Sequence, residues 1–496
     1  MEWFTADGYW LSRLIFQRGL AAVYLVAFVA AALQFRALIG SRGMLPVPGL
    51  LRRTPWRAAP GLFRLHYSDR FFACVAWAGA AVSLALLAGV DAYVPLWAAM
   101  TLWAVPWVLY LSIVQVGQVW YGFGWESLLL ETGFLAVFLG NGDTAAPVLV
   151  LWLLRWLLFR VEFGAGLIKI RGDECWRRLT CLDFHHETQP MPGPLSRLFH
   201  LLPKPAHRVE TAANHVTQLV VPFLLFTPQP VASVAAGLMV LTQLWLVLSG
   251  NFAWLNWLTI VLALAAIDWS PMAGPPPAQP GSPLWYEVVV VAATVLVLAL
   301  SYRPARNLLS RRQVMNRSFD PLHLVNTYGA FGSISRMRLE VVVEGTDEEA
   351  VHPGTRWLEY GFRGKPGDPR RLPRQFAPYH LRLDWMMWFA ALSPAYARSW
   401  FEPFVERLLQ GDRDTLRLMG HNPFSDGPPA HIRARVFHYR YTDRSELRAT
   451  GCRWHRTYVR DFMRPAPRPV PLRPRGHAPE ERRTPGSDEE ASGGRK

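Results

Sequence analysis

The sequence predicts a multi-pass α-helical membrane bundle, followed by a β-rich extramembrane domain of α+β or β-sandwich-like type and a disordered tail. Three observations predict it. Seven uninterrupted apolar stretches, each near or above the length that crosses hydrocarbon as a helix, fall before residue 302. After Tyr302 the apolar runs give way to short alternating segments, the period of half-buried strands. From Pro465 the chain is Pro, Arg, Glu, Ser and Gly with almost nothing apolar, too little burial to offset the entropy of ordering. A chain of 496 residues with 51% apolar residues and 22 Trp fits a membrane class better than one soluble domain.

The first stretch, Gly19 to Ile39, follows a short amphipathic lead-in over residues 1–18. It is long, lacks a convincing small-residue cleavage site and precedes further spans, so it reads as a retained helix and not a signal peptide. The next loop carries Arg42, Arg52, Arg53, Arg57, Arg64 and Arg70, which argues for a cytoplasmic position. The loop after Ile170 and the C-terminal region are basic too, so charge does not assign the orientation. Phe71 to Val90 and Tyr93 to Val116 are the second and third spans. Gly117 to Gly124, beside Trp120, Tyr121 and Trp125, reads as an aromatic belt at the membrane interface. Pro147 to Ile170, Val231 to Leu248, Phe252 to Ile267 and Trp285 to Leu300 complete the seven; Glu126 to Leu139 and Val216 to Thr227 are weaker candidates. Seven to nine helices are expected within residues 1–301, with a Cys-flanked polar loop over 171–215.

In residues 302–464, Arg338 to Gly345, Arg356 to Gly364 and Ala434 to Thr442 read as strands. YHLRLDWMMWFAAL and WFEPFVERLLQG between them have helical spacing. Trp385, Trp388 and Trp400 read as core, because aromatic stripes at that spacing pack inward. Residues 465–496 are the expected tail. The net charge is +15 and only four of the 52 basic residues are lysine. No basic residues cluster with aromatics on a nucleic-acid-binding module, so the charge suits loops beside anionic headgroups of membrane lipid.

The segment Arg155 to Pro194 concentrates the chemistry. Its helix carries Arg155, Arg160, Glu162 and Lys169, and an ionisable group at the bilayer centre costs roughly 2.5–3.5 kcal/mol on insertion scales unless it is paired or in use. Arg155, Glu162 and Lys169 are spaced by seven and return to within about 20° of one face. Gly164, Ala165 and Gly166 let a neighbouring backbone approach closely. Arg155, Arg160 and Glu162 are expected to form an intramembrane charge network with Glu126 and Glu131. Lys169 is expected to snorkel or pair; a desolvated lysine base is the alternative. Cys175 and Cys181 can form a local bridge on an oxidising face of the membrane; a zinc site with His185 and His186, whose spacing matches no familiar pattern, and two free thiols are the alternatives. Asp183, His185, His186 and Glu187 have the composition of an acid/base set. There is no phosphate-binding Gly-rich loop, nucleophile elbow or HExxH, so no cofactor or metal is indicated by motif.

The run FRVEFGAGLIKIRGDECWRRLTCLDFHHETQPMP resembles the signature loop of the lipase maturation factor family. Agreement continues through NHVTQLVVPFLLF, GNFAWLNWLTIV, NTYGAFGSISRMRLEVVVEGT, EYGFRGKPGDPRRLP, PYHLRLDWMMWFAAL and HNPF, covering about Tyr121 to Arg464 in order. The resemblance implies a membrane-embedded factor that helps secreted lipases fold and assemble, and not an enzyme. It implies the endoplasmic reticulum membrane, or the plasma membrane in a bacterial host, with the loop and C-terminal domain lumenal. That orientation suits a Cys175–Cys181 disulfide. The signature positions it points to as a client-binding surface are Arg171, Gly172, Asp173, Trp176, Asp183, His185, Glu187, Gln189 and Pro190. Arg178 and His186 stand where the family commonly has an acidic and an aromatic residue. FGAGLIKI is also distantly similar to vitamin K-dependent carboxylase-like membrane proteins, which implies the alternative of a membrane enzyme with Lys169 as base and Glu162, His185 and His186 nearby.

Overall fold

The computed structural model describes residues 3–274 and 281–468. Every one of the seven apolar stretches is helical. The principal helices of the N-terminal part are α1 (Trp10–Leu38), α2 (Asp69–Leu87), α3 (Leu96–Val116), α4 (Gly124–Ala136), α5 (Val148–Arg171), α6 (Leu182–Thr188), α7 (Lys204–Leu219), α8 (Val231–Ser249), α9 (Leu255–Ala266) and α10 (Leu284–Leu309). Among the described residues, five helices are long and apolar enough to cross a membrane: α1 with its lead-in, α2, α3, α8 and α10. Helix α5 has the length but carries four charged positions before its last residue, and α9 is only 12 residues long. Helix α1 starts at Trp10, inside the segment expected to be lead-in.

Local sequence explains where these helices begin. The Ser68 hydroxyl accepts from the Phe71 amide at 3.1 Å and caps α2. Pro95, Pro147 and Pro283 stand at the N-caps of α3, α5 and α10, in the extended conformation that precedes a first turn. Helix α1 packs along α2 and α9, and α5 lies against α7, α9 and α10.

The C-terminal domain takes the α+β form. Its single four-stranded antiparallel sheet has the order β2 (Leu358–Glu359), β1 (Arg338–Thr346), β3 (His431–Tyr441), β4 (Trp454–Pro467). Val341 stands opposite Val436 and Val343 opposite Ala434. These four face the main core with helices α11 (Arg382–Leu392) and α12 (Phe401–Leu409), whereas Val342, Phe437, Tyr439, Tyr441 and Trp454 form a smaller cluster. The expected strand at Arg356 to Gly364 is reduced to two residues. Strand β4, unmarked by apolar alternation, runs to Pro467 and so into the segment expected to be tail; residues 469–496 lie outside the described residues.

Trp385 and Trp400 are buried as expected, and Trp388 is half-buried with its Nε1 donating to the Thr188 carbonyl at 3.0 Å. The aromatic-belt reading of Gly117 to Gly124 is corrected. Trp120 and Tyr121 are buried under the C-terminal domain, Trp120 against Trp400 at 5.3 Å and Tyr121 beneath the Arg382 guanidinium at 3.5 Å. Composition alone does not distinguish a lipid interface from a protein interface, since both favour large amphipathic rings.

Candidate functional site

Glycines at the end of α5 set the approach of the C-terminal domain. A Cβ on Gly164 would stand 2.5 Å from the Tyr328 carbonyl, so this small residue admits a loop of the other domain. Gly172 ends the helix, and a Cβ there would come within 2.2 Å of the Gly332 carbonyl. That contact lets the Asp173 amide donate to Gly332 at 2.8 Å.

From there the chain folds into a closed platform. Asp173 caps the next turn by accepting from the Cys175 amide at 3.0 Å and accepts from Arg336 at 2.7 Å. Hydrogen bonding from Arg336 holds its carboxyl at about 2, below the usual carboxylate range. Cys175 and Cys181 are joined in a disulfide with a Cα separation of 4.8 Å. Among the described residues, the metal-ligand-type side chains that converge are Asp173, Cys175 and Cys181. Their sulfurs are spent in the disulfide and His185 and His186 stand apart, so the zinc alternative loses its thiolates. Trp176 donates to the Phe331 carbonyl at 2.8 Å.

The second half of the loop is stapled to the sheet by Arg338. This buried guanidinium donates to the carbonyls of Glu187 (2.8 Å), Gln189 (2.5 Å) and Pro190 (3.1 Å), and pairs with Glu340 at 2.6 Å. Glu340 is also paired with Lys365 at 2.9 Å. The Glu187 carboxylate accepts from the Tyr441 amide at 2.6 Å, and Arg197 donates to the Thr442 carbonyl at 2.7 Å. Thus Gly172, Asp173, Trp176, Glu187, Gln189 and Pro190 are brought together as one docked surface. Arg171 instead is exposed and donates to Gln313 at 2.9 Å, and Asp183 is half-buried in the first turn of α6.

Of the charges of α5, only Arg160 finds one of the expected acidic partners. Arg160 pairs with Glu131, as anticipated, and also donates to the Asn326 carbonyl at 2.7 Å. Glu126 lies away from that pair: it accepts from Arg382 of the C-terminal domain at 2.6 Å and from Tyr110 at 2.5 Å. Arg155 has no ion pair among the described residues; it donates to the Tyr9 hydroxyl at 2.7 Å and lies over the Trp152 ring. Glu162 accepts from the amides of Gln218 (3.1 Å) and Gln243 (2.7 Å). Lys169 is 6% exposed and does not snorkel: Nζ donates to Asn214 at 2.9 Å and Gln218 at 2.8 Å. Lys169 and Glu162 are therefore joined through the Gln218 amide, and Arg155 is partnered separately. Heptad spacing identifies a shared face, but neutral partners on α7 and α8 were free to fill it.

Lys169 and Glu162 line a cavity of about 1040 Å³ that reaches from α5, α7, α8 and α9 to α11. His185 lines the same cavity; burial and the neighbouring His186 push it well below its ordinary value, so it is neutral near pH 7. His186 sits 3.6 Å from Glu210, away from Glu162. The expected set of Asp183, His185, His186 and Glu187 does not converge: Glu187 turns to the sheet and Asp183 to the surface of α6. Sequence reasoning missed Asn214, Gln218, Gln243 and Asn256; for the last three the available signal was amide side chains within otherwise apolar stretches.

The lipase maturation factor transmembrane domain matches residues 11–273, and the lipase maturation factor C-terminal domain matches residues 324–464. The chain belongs to the lipase maturation factor family. Lipase maturation factor 1 of Bos taurus is 42% identical over 90% of this chain and 87% of its own length. Lipase maturation factor 1 of Homo sapiens is 43% identical over 87% of the chain and 83% of its own. Lipase maturation factor 2 of Gallus gallus is 30% identical over 91% and 80%. No solved structure was found to match. Both halves of the family pattern include the residues that dock the loop on the sheet. The carboxylase-like alternative finds no support in these relatives.

Proposed function

We propose that this chain is a membrane-embedded folding and maturation factor whose clients are secreted lipases. The observation that carries it is the docking of the disulfide-closed loop onto the sheet through Arg338, within a chain that matches both family domains. That arrangement supplies a rigid platform outside the spans, the element a folding factor presents to a client, and it carries no assembled acid/base set. The signature positions Asp173, Trp176, Glu187, Gln189 and Pro190 hold the platform's shape, and the client contacts their exposed surroundings. The Cys175–Cys181 disulfide supports an oxidising compartment for this face, hence the lumen of the endoplasmic reticulum, or the outer face of a bacterial plasma membrane.

The test is complementation. Expressed in lipase-secreting cells that lack their own maturation factor, the full chain should restore secreted, active lipase dimer and should crosslink to the immature enzyme. A chain present in the membrane at normal abundance that leaves the lipase inactive would overturn the reading.

A further inference from the structure

The cavity beneath the platform is built for a ligand of its own. At about 1040 Å³ it lies at the upper end of the sizes typical of small-molecule sites, about 300–1,000 Å³. Its wall is apolar, and its polar groups form one chain of buried hydrogen bonds: Lys169 to Gln218, Gln218 and Gln243 to Glu162, and Asn256 to Gln243 at 2.7 Å. An ammonium has three donors, and Lys169 uses two on the chain. His185, 5% exposed and lining the cavity, packs its ring against Phe252 and Phe331. Trp385 Nε1 and Gln189 Oε1, on residues of the same lining, are buried without partners. Buried polar groups are rarely left so, which points to an occupant that carries donors or acceptors.

The mouth identifies the source. Val231, Val234, Leu238, Leu241, Trp245 and Leu248 recur at intervals of three and four along α8 and are all exposed, the outward stripe of a spanning helix. Two of them, Leu241 and Trp245, are also on the cavity lining. The opening is therefore continuous with the surface that faces hydrocarbon, and what the bilayer presents there is an acyl chain.

We propose that this cavity binds an acyl-chain lipid that enters sideways from the bilayer, its chain along the apolar wall and its carboxyl or ester carbonyl accepting from Lys169. Neither the family match nor the maturation reading assigns such a site. The polar groups at the buried end recognise the carbonyl, and the lipid completes the underside of the platform.

The full chain in phosphatidylcholine nanodiscs tests this with two photoreactive probes used separately, a diazirine fatty acid and a phosphatidylcholine bearing the diazirine in one acyl chain. Adducts are expected on peptides covering residues 202–218 and 238–256. Labelling should fall about tenfold in Ala213→Trp, which fills the mouth from α7. It should be unchanged in Leu244→Trp, which changes α8 outside the lining. Thr242→Trp is a second plug should the first not fold. Labelling by the fatty acid alone identifies a free acid, and labelling by phosphatidylcholine a bilayer phospholipid; either sustains the proposal. Adducts from neither probe at these peptides, or equal labelling in a folded plugged variant, would overturn it.

Discussion

Replacing Arg338 by methionine removes the staple between loop and sheet while keeping most of the side-chain volume. Taking one member from a buried pair costs about 3–5 kcal/mol, because the other charge is left without its partner. Glu340 retains Lys365 at 2.9 Å, which favours the lower end. The carbonyls of Glu187, Gln189 and Pro190 lose a donor, which favours the upper end. At roughly 2–4 °C per kcal/mol for a unit of about 150–250 residues, the midpoint of thermal unfolding should fall by about 6–20 °C. The assay is thermal unfolding of the purified protein in nanodiscs, with limited proteolysis of residues 171–203 as the local readout. Adding Glu340→Gln should deepen the loss, because it leaves the buried Lys365 ammonium without its carboxylate. A midpoint within about 2 °C of wild type, with the loop equally resistant to protease, would refute the claim that Arg338 holds the platform together.

Replacing Cys175 and Cys181 by serine should cost about 2 kcal/mol, since the bridge closes a short loop; peptide mapping without reductant that found both thiols free in the mature protein would contradict the premise. Gly172→Ala should destabilise by about 1–3 kcal/mol, because the added methyl meets a backbone carbonyl that can move only with its loop; an unchanged unfolding midpoint would remove the argument from close approach. Asp173 titrates at about 2 beside Arg336. A depressed folded pKa means its stabilisation is intact above roughly pH 4 and lost as pH falls toward about 2. Asp173→Asn should therefore be less stable than wild type at neutral pH, with the two unfolding midpoints converging on acidification; curves that stay parallel would show the carboxylate is not held by that pair.

Period and composition carried the helices and two of the strands, because both are local properties of the chain. Gly19 to Ile39 and its six counterparts were legible as helices for that reason, as were Arg338 to Gly345 and Ala434 to Thr442. Strand β4 was not: its exposed positions from His455 onward give it no apolar alternation, and pairing along β3 defines it. The loop residues were legible as a set through the signature run, yet their individual roles were not. Pro190 and Gln189 act through backbone carbonyls, which no side-chain pattern advertises.

The sequence by itself determined the class of protein, where its apolar helices lie, and the family. Only the tertiary structure decided which charges meet. Glu126 finds Arg382, 256 residues away, and Lys169 finds Asn214 and Gln218 in place of an acid or the membrane surface. The physical reason is that a buried ion must be satisfied by whatever donors and acceptors the fold brings within about 3 Å, and those come from helices and loops distant in the chain. The cavity is the same kind of fact, since its wall is assembled from seven helices, α4 to α9 and α11, and no one segment contains it.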